Sequence, residues 1–160
     1  IMYKVGIGYD VHQLKKGEQL ILGGVKIQFD YGIVGHSDGD VLVHSIIDSI
    51  LGASAQGDIG NFFPSSDARL KNYSSLKMLN TIYNEVIKDS FTINHIDSVI
   101  ILQKPNISNF IEEMKSNILS NIDIGKSSIS IKATTTDHLG FIGKGKGIAC
   151  QAIATLINNN

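Results

Sequence analysis

Three side chains that commonly bind metals define the chemistry that this sequence can perform. Asp10 and His12 are two residues apart in a run that alternates apolar and polar residues, so on a strand they project from the same face. His44 follows within a helical pattern. Two histidines and one carboxylate from separate elements suffice for an open catalytic zinc, which keeps a fourth position for water or substrate. We therefore expect Asp10, His12 and His44 to bind Zn2+, although the first two alone are also compatible with an ordinary polar pair.

Acidic residues surround His44 in the sequence. Asp48 lies one helical turn beyond it and is expected to accept a hydrogen bond from the second ring nitrogen of His44. Ser37 or Asp38 is expected to cap the helix, and simple N-capping explains Asp38 and Asp40 as well as a direct role would.

Two further segments have a composition that suits a phosphorylated substrate. The loop from Gly57 to Asp67 combines the carboxylate of Asp58 with aromatic residues, which suits a polyol beside a methyl group, or simply forms a turn. Residues 132–137 leave a strand with three threonines and Asp137, which suits a diphosphate with a second hard cation on Asp137. The threonines are equally explained by β-propensity.

Length and charge exclude several classes of protein. A chain of 160 residues is long enough for one domain with its own core, and we assign residues 1–160 to it, with 157–160 as a frayed tail. The net charge of -1 disfavours a nucleic-acid or polybasic membrane partner. No apolar run approaches the roughly 20 residues of a membrane span. Cys150 is the only cysteine, and its pattern places it in the core.

The periodicity predicts the elements that must position these residues. A strand over Tyr3–His12 is followed by a hairpin that is expected to lie over the surface as a flap. Helices are expected over Asp40–Ala53, Ser74–Lys88 and Ile107–Leu119, with strands over Phe91–Leu102, Ser128–Thr134 and Ile148–Leu156. This order predicts an α+β fold with a mixed sheet and helices on one face. Because no helix remains for the other face, we expect further subunits to cover it.

Five motifs in order resemble the 2-C-methyl-D-erythritol 2,4-cyclodiphosphate synthase family. They are Gly6 to His12, Gly35 to His44, Gly57 to Gly60, Lys132 to Thr136, and Gly140-Phe141. The resemblance runs from about Tyr3 to Leu156 and implies a homotrimer whose sheets pack around the threefold axis, with active sites between neighbours. It also implies a metal-dependent lyase of the non-mevalonate isoprenoid (terpenoid) pathway. The 2-phosphate of 4-diphosphocytidyl-2-C-methyl-D-erythritol 2-phosphate attacks the β-phosphorus, CMP leaves, and the cyclic diphosphate forms.

The resemblance also implies roles for individual residues. Zn2+ on Asp10, His12 and His44 holds the β-phosphate, one ion per subunit, while Mg2+ or Mn2+ joins the diphosphate through Asp137. His36 and Thr135 stabilise the transition state, and Asp58 holds the erythritol hydroxyls. The remaining substrate contacts implied are Ser37, Ile59, Gly60, Phe63, Ser65, Asp67, Phe141 and Lys144, with Leu102, Lys104, Asn106, Ala133 and Thr134 around a cytidine held by the neighbouring subunit.

The chain departs from the family pattern at several of these positions. Asp137 replaces a glutamate that is common in the family, Ser65 an aspartate, Asn106 a lysine, Lys144 an arginine and Lys146 a glutamate.

Two alternatives to the synthase are a metal-dependent phosphohydrolase and a non-catalytic trimeric binding module. If the source is a plastid-bearing eukaryote, the resemblance implies a plastid location after removal of a leader. The start at Ile1-Met2 and the many asparagines favour this source. A bacterial source would imply the cytoplasm.

Overall fold

The computed structural model describes residues 2–159. They form seven strands and five α-helices. The strands are β1 (Tyr3–Lys16), β2 (Leu20–Leu22), β3 (Val25–Ile27), β4 (Tyr31–Ile33), β5 (Phe91–Ile101), β6 (Ile129–Thr134) and β7 (Gly147–Asn158). The helices are α1 (Val41–Ala53), α2 (Ile59–Phe62), α3 (Ser75–Ile82), which continues into a π-helical turn (Tyr83–Ile87), α4 (Ile111–Leu119) and α5 (Gly140–Gly143). Within the described part of the chain, no helix is long and apolar enough to span a membrane.

Five strands form one mixed sheet, in the order β4-β1-β7-β5-β6. β5 and β6 are parallel, and the other neighbours are antiparallel. The strands β2 and β3 form a separate hairpin. The predicted α+β class with a mixed sheet is confirmed. The register places Asp10 opposite Cys150, Cys150 opposite Ile100, and Ile100 opposite Ala133, so Asp10 and Ala133 lie at the two ends of one row across the sheet.

Helix α1 packs directly on β1 because two glycines remove the side chains that would separate them. A Cβ atom at Gly8 would lie 1.9 Å from the carbonyl oxygen of Ser45, and one at Gly6 would lie 2.0 Å from that of Ser49. The helix backbone therefore covers this face of β1 at Gly6 and Gly8. Leu42, Ile46, Ile50 and Cys150 are buried in the core beneath.

The opposite face of β1 carries a row of exposed apolar side chains, which we call the apolar row. Its members are Tyr3, Val5, Ile7, Tyr9 and Val11, with exposed fractions between 42% and 66%. Apolar side chains that alternate along a strand and remain exposed indicate a face that another surface covers.

Two expectations about the periphery are wrong. The β2–β3 hairpin is not a surface flap, because Leu20, Leu22, Val25 and Ile27 are buried in the core. Residues 157–159 are not a frayed tail: β7 extends to Asn158, pairs Ile157 with Tyr3, and is followed by a hydrogen bond from the Asn159 amide to the Ser90 carbonyl. Residue 160 lies outside the described residues. The short elements β4, α2 and α5 were not predicted, because three or four residues carry too little periodicity.

Candidate active site

Strand β1 and helix α1 bring Asp10, His12 and His44 together. The Oδ2 atom of Asp10 lies 3.2 Å from Nδ1 of His12 and 3.1 Å from Nδ1 of His44. One potential ligand atom from each residue lies within 4.8 Å of the other two. Among residues 2–159, no other group of three or more His, Cys, Asp or Glu side chains meets this criterion. The structure therefore places all three predicted ligands at one point.

The electrostatics of this cluster suit a cation. Burial raises the pKa of Asp10, but the imidazoles of His12 and His44 outweigh it and bring that pKa down to about 2. Burial lowers the pKa of His44, yet Asp10 overcomes it and the net shift is upward. The Nδ1 atom of His12 is buried and has no hydrogen-bond partner in the described structure, since its contact with Asp10 has the distance but not the geometry of a hydrogen bond. A bound cation would satisfy this nitrogen.

The second ring nitrogen of His44 has different partners from the predicted one. Its Nε2 atom lies 2.8 Å from Oγ of Ser75 and 3.2 Å from Oγ of Ser37. The prediction that Asp48 accepts a hydrogen bond from His44 is wrong, because Asp48 instead accepts one of 2.8 Å from the amide of Ile59 at the start of α2. Burial raises the pKa of Asp48.

The N-cap of α1 is Asp40, not Ser37 or Asp38. Its carboxylate is completely buried and accepts hydrogen bonds from the amides of Val43, Gly23 and Gly24. Burial and the nearby Asp38 raise its pKa to about 6, although the three amides oppose the shift. The capping interpretation of Asp40 is confirmed, and the cap also ties the turn of the β2–β3 hairpin to α1.

A small cavity of about 150 Å³ lies beside the cluster. Two ligands of the metal cluster line it, together with five of the site residues that were expected from the sequence: His12, His44, His36, Ser37, Ile59, Phe63 and Ser65. Leu70 and Met78 also line it and were not predicted, because neither belongs to a recognisable motif. The Nε2 atom of His36 donates a hydrogen bond of 2.9 Å to the carbonyl of Asp67, which orients the ring.

Asp58, Gly60 and Asp67 belong to the expected set but do not line this cavity. Asp58 is exposed and caps α2 by accepting from the amide of Asn61. Gly60 lies within α2. The carboxylate of Asp67 is paired with Arg69 at 2.8 Å, and that hydrogen bonding lowers its pKa to about 2.

The residues expected around a cytidine line a separate cavity of about 690 Å³. It lies where β5 and β6 end, and all five of those residues line it together with Thr135: Leu102, Lys104, Asn106, Ala133, Thr134 and Thr135. Phe29 also lines it and was not predicted. The Asn106 side chain accepts hydrogen bonds from the amide and hydroxyl of Ser108.

The turn after β6 holds the expected ligand of a second metal. Asp137 is exposed, has a positive φ of 50°, and accepts a hydrogen bond of 3.4 Å from the hydroxyl of Thr135. Lys144 lines another cavity, of about 490 Å³, which adjoins the cavity of about 690 Å³ because Lys104 lines both. Phe141 is half-exposed, with its ring packed against Gly147.

The cavities of about 150 and 690 Å³ are far apart within one chain. They share no lining residue. Asp10 and Ala133 end one row across the sheet, and three strand spacings of about 4.8 Å separate them by about 14 Å. Thr135 of one chain therefore lies well beyond contact distance of a group bound at Asp10 of the same chain.

Comparison with known proteins identifies the family. The sequence model of the YgbB family matches residues 3–157. The 2-C-methyl-D-erythritol 2,4-cyclodiphosphate synthase of Clostridium acetobutylicum is 56% identical over 155 residues, which cover 96% of this chain and 99% of that protein. The protein of the same name from Desulforamulus reducens is 46% identical over 153 residues, which cover 96% and 98%.

Solved structures show the same relationship. The bifunctional IspDF from Campylobacter jejuni is 40% identical with a TM-score of 0.91, and the match covers 97% of this chain and 42% of that longer one. The CDP complex of IspF from Plasmodium falciparum is 38% identical with a TM-score of 0.82, covering 99% and 97%. The resemblance inferred from the five motifs is confirmed, and the chain belongs to the YgbB family.

Proposed function

We propose that this protein is a 2-C-methyl-D-erythritol 2,4-cyclodiphosphate synthase of the non-mevalonate isoprenoid pathway, a phosphorus–oxygen lyase. It converts 4-diphosphocytidyl-2-C-methyl-D-erythritol 2-phosphate to the 2,4-cyclic diphosphate and CMP. The observation that carries the proposal is the convergence of Asp10, His12 and His44 beside His36 and Ser37. It occurs in a chain that is 56% identical to a protein of that name.

The two distances from Asp10 to the histidines fit Zn2+. Two ligands at about 2.0–2.1 Å from a tetrahedral zinc ion are about 3.3 Å apart, and the two Nδ1–Oδ2 distances here are 3.1 and 3.2 Å. Asp10, His12 and His44 would hold one zinc ion per subunit, and Asp137 would hold Mg2+ or Mn2+ with the substrate. When bound, these ions supply Lewis acidity and neutralise charge on the diphosphate.

The remaining task of the protein is to bind and align the substrate. A phosphate is already an anionic nucleophile, so no side chain must act as a strong base. The 2-phosphate oxygen forms a bond to the β-phosphorus, the bond from that phosphorus to the bridging oxygen breaks, and the oxygen leaves on CMP. His36, oriented by its hydrogen bond to Asp67, and Thr135 would stabilise the charge that develops in this step.

The other contacts divide between the two cavities. Near the metal cluster, Asp58, Ile59 and Gly60 would hold the erythritol hydroxyls. The other contacts proposed on this side are Ser37, Phe63, Ser65 and Asp67. Phe141 of α5 and Lys144, which lines the cavity of about 490 Å³, would contact the substrate from the side of the larger cavity. Leu102, Lys104, Asn106, Ala133 and Thr134 would hold the cytidine, around the cavity that they line.

The separation of the two cavities supports a site shared between subunits. A stabilising donor must lie about 3 Å from the reacting oxygen, whereas the row from Asp10 to Ala133 spans about 14 Å in one chain. We therefore infer that Thr135 and Asp137 act at the metal cluster of a neighbouring copy. A homotrimer whose sheets pack around the threefold axis would bring them there and would cover the apolar row of β1.

One domain spanning the described chain is sufficient for this arrangement, because the metal cluster, both cavities and the apolar row belong to a single sheet with its helices.

The relatives named above from Clostridium acetobutylicum and Desulforamulus reducens are bacterial. The expectation of a plastid location has no support from them, and a bacterial cytoplasm is the location that they favour.

The test is turnover of the diphosphocytidyl substrate with Zn2+ and Mg2+, followed by phosphorus NMR. We expect CMP and a cyclic diphosphate in equal amounts, from a protein that sediments as three copies. Release of inorganic phosphate would instead indicate a phosphohydrolase, and binding without turnover a non-catalytic module. His44→Ala tests the ligand assignment. The variant should remain folded but lose both zinc and activity, and unchanged zinc content would refute the assignment.

A further inference from the structure

We propose that Ser75, held by Asp38, is a positioning residue that fixes His44 in the tautomer needed to bind a metal. The inference deepens the proposed function and rests on it, because it concerns the zinc site of the synthase. Ser75 lies outside every motif identified in the sequence. It is the first residue of α3, and its side chain is completely buried.

Ser75 connects His44 to a carboxylate. Its Oγ atom lies 2.8 Å from Nε2 of His44 and forms a short hydrogen bond with Oδ1 of Asp38. The amide of Ser75 donates a second hydrogen bond of 2.8 Å to Oδ2 of Asp38. Asp38 is itself anchored, because its amide donates to the carbonyl of Tyr73 just before α3. Both carboxylate oxygens therefore bind the first residue of the helix.

The direction of each hydrogen bond follows from the available protons. An ionised carboxylate only accepts, so the hydroxyl proton of Ser75 must point to Asp38. The Oγ atom of Ser75 can then only accept from His44, which requires a proton on Nε2. Asp10 accepts from Nδ1 of His44 at 3.1 Å in the described structure, and a metal ion would replace the proton of that hydrogen bond. The ring that keeps its proton on Nε2 then presents the Nδ1 lone pair to the metal. The chain from Asp38 through Ser75 thus selects the metal-binding tautomer.

Ser37 does not supply the same constraint. Its hydroxyl lies farther from Nε2 of His44, at 3.2 Å, and it accepts only a long hydrogen bond from the amide of Gly39, at 3.4 Å. The Ser37 hydroxyl contacts no carboxylate in the described structure, so it can rotate and either donate or accept. Metal-binding histidines commonly donate their other N–H to an oriented acceptor, and loss of that acceptor typically weakens metal binding 10- to 100-fold.

The experiment compares Ser75→Ala with Ser74→Ala. Ser75→Ala removes only the hydroxyl and keeps the amide that donates to Asp38. We expect its Zn2+ affinity, measured by competition with a chelator, to fall about 10- to 100-fold. In the zinc-loaded protein, the slowly exchanging Nε2 proton of His44 should disappear from heteronuclear NMR spectra. Ser74→Ala removes the N-cap hydroxyl of α3 and should lower stability while leaving both readouts unchanged.

Asp38→Asn tests the direction of the hydrogen bonds separately from packing. The amide group has nearly the shape of the carboxylate but can donate to Ser75, which frees the hydroxyl to donate to Nε2. We expect a reduced Zn2+ affinity and a weakened Nε2 proton signal, although the Ser75 hydroxyl is still present.

The outcomes separate this proposal from the proposed function. Wild-type Zn2+ affinity and an unchanged Nε2 proton signal in Ser75→Ala would refute the positioning role, while the wild-type protein would still act as a synthase. A wild-type protein that neither binds Zn2+ nor releases CMP would instead refute the proposed function. A loss of affinity in Ser74→Ala equal to that in Ser75→Ala would show that only the stability of α3 matters, and would also overturn the proposal.

Discussion

The contact between Gly8 and α1 predicts that a single methyl group will separate the metal ligands. A Cβ atom at Gly8 would lie 1.9 Å from the carbonyl oxygen of Ser45 and 2.9 Å from the amide nitrogen of Ser49. The obstructing atoms belong to the helix backbone and cannot rotate away. Cβ atoms essentially never approach another heavy atom within 3.0 Å, so Gly8→Ala requires α1 and β1 to move apart by at least about 1.1 Å.

This displacement acts directly on the candidate metal site. Ser45 follows His44 in α1, whereas Asp10 and His12 follow Gly8 in β1, so the shift separates the ligands contributed by the two elements. Metal sites require ligand distances within about 0.2 Å of their ideal values. We therefore expect Gly8→Ala to lower Zn2+ affinity at least about 10-fold and to reduce turnover. Overpacking of the interface should also lower the free energy of unfolding by about 1–3 kcal/mol.

Two glycine variants in the same interface provide matched controls. At Gly6 the Cβ would lie 2.0 Å from the carbonyl oxygen of Ser49, one helical turn farther from His44, so Gly6→Ala should lose similar stability with a smaller loss of Zn2+ affinity. At Gly52 in α1 the nearest atom lies at 3.8 Å, an ordinary contact, and alanine favours a helix. Gly52→Ala should retain both properties.

The assays are chelator competition for Zn2+, urea unfolding and CMP release for all three variants. Wild-type Zn2+ affinity and turnover in Gly8→Ala would refute the reasoning, because the interface would then accommodate the methyl group without moving His44. An equal loss of Zn2+ affinity in Gly6→Ala and Gly8→Ala would attribute the effect to stability rather than to the local displacement of the ligands.

Two further predictions concern acidic residues. Asp40→Ala removes the α1 cap and leaves hairpin amides unpaired, so urea unfolding should show a loss of about 2–4 kcal/mol. The pKa of Asp40 is raised from 3.8 to about 6, so the folded state holds this proton at a higher pH than the unfolded state does. Stability should therefore fall as pH rises between these two values, and Asp40→Asn should remove that fall; an identical pH profile would contradict it. Asp137→Ala should weaken the Mg2+ dependence of turnover and leave zinc content unchanged, and unaltered Mg2+ dependence would show that Asp137 is not a ligand.

Local periodicity is sufficient to predict the metal cluster. Alternation along β1 places Asp10 and His12 on one face, and helical spacing places His44 on α1; the packing of α1 on β1 then brings them together. The residues expected around the cytidine also meet in one cavity, because the ends of the parallel strands β5 and β6 are neighbours. Motifs within single elements and at adjacent strand ends therefore carry most of the site.

Partners from distant elements could not be predicted in this way. Ser75 is 31 residues from His44 in the sequence, and no local pattern distinguishes it from Ser74. Asp48 has the right helical spacing to reach His44, but the amide of Ile59 competes for its carboxylate. Ser37, Asp38 and Asp40 are equally good caps by residue type, and Asp40 takes that position because the glycine turn of the hairpin offers its carboxylate two more donors.

These partners explain how the site is organised before a metal binds. In the described structure Asp10 accepts a hydrogen bond from Nδ1 of His44, and Ser75 lies 2.8 Å from Nε2. These two contacts orient the ring, and a metal ion would take the place of the proton on Nδ1. The Nδ1 atom of His12 remains without a hydrogen-bond partner in the described structure, and a buried polar atom in this state costs about 1–3 kcal/mol. Since a cation at the cluster would relieve that cost, metal binding should stabilise the fold as well as complete the site, whereas replacement of His12 alone should remove the gain.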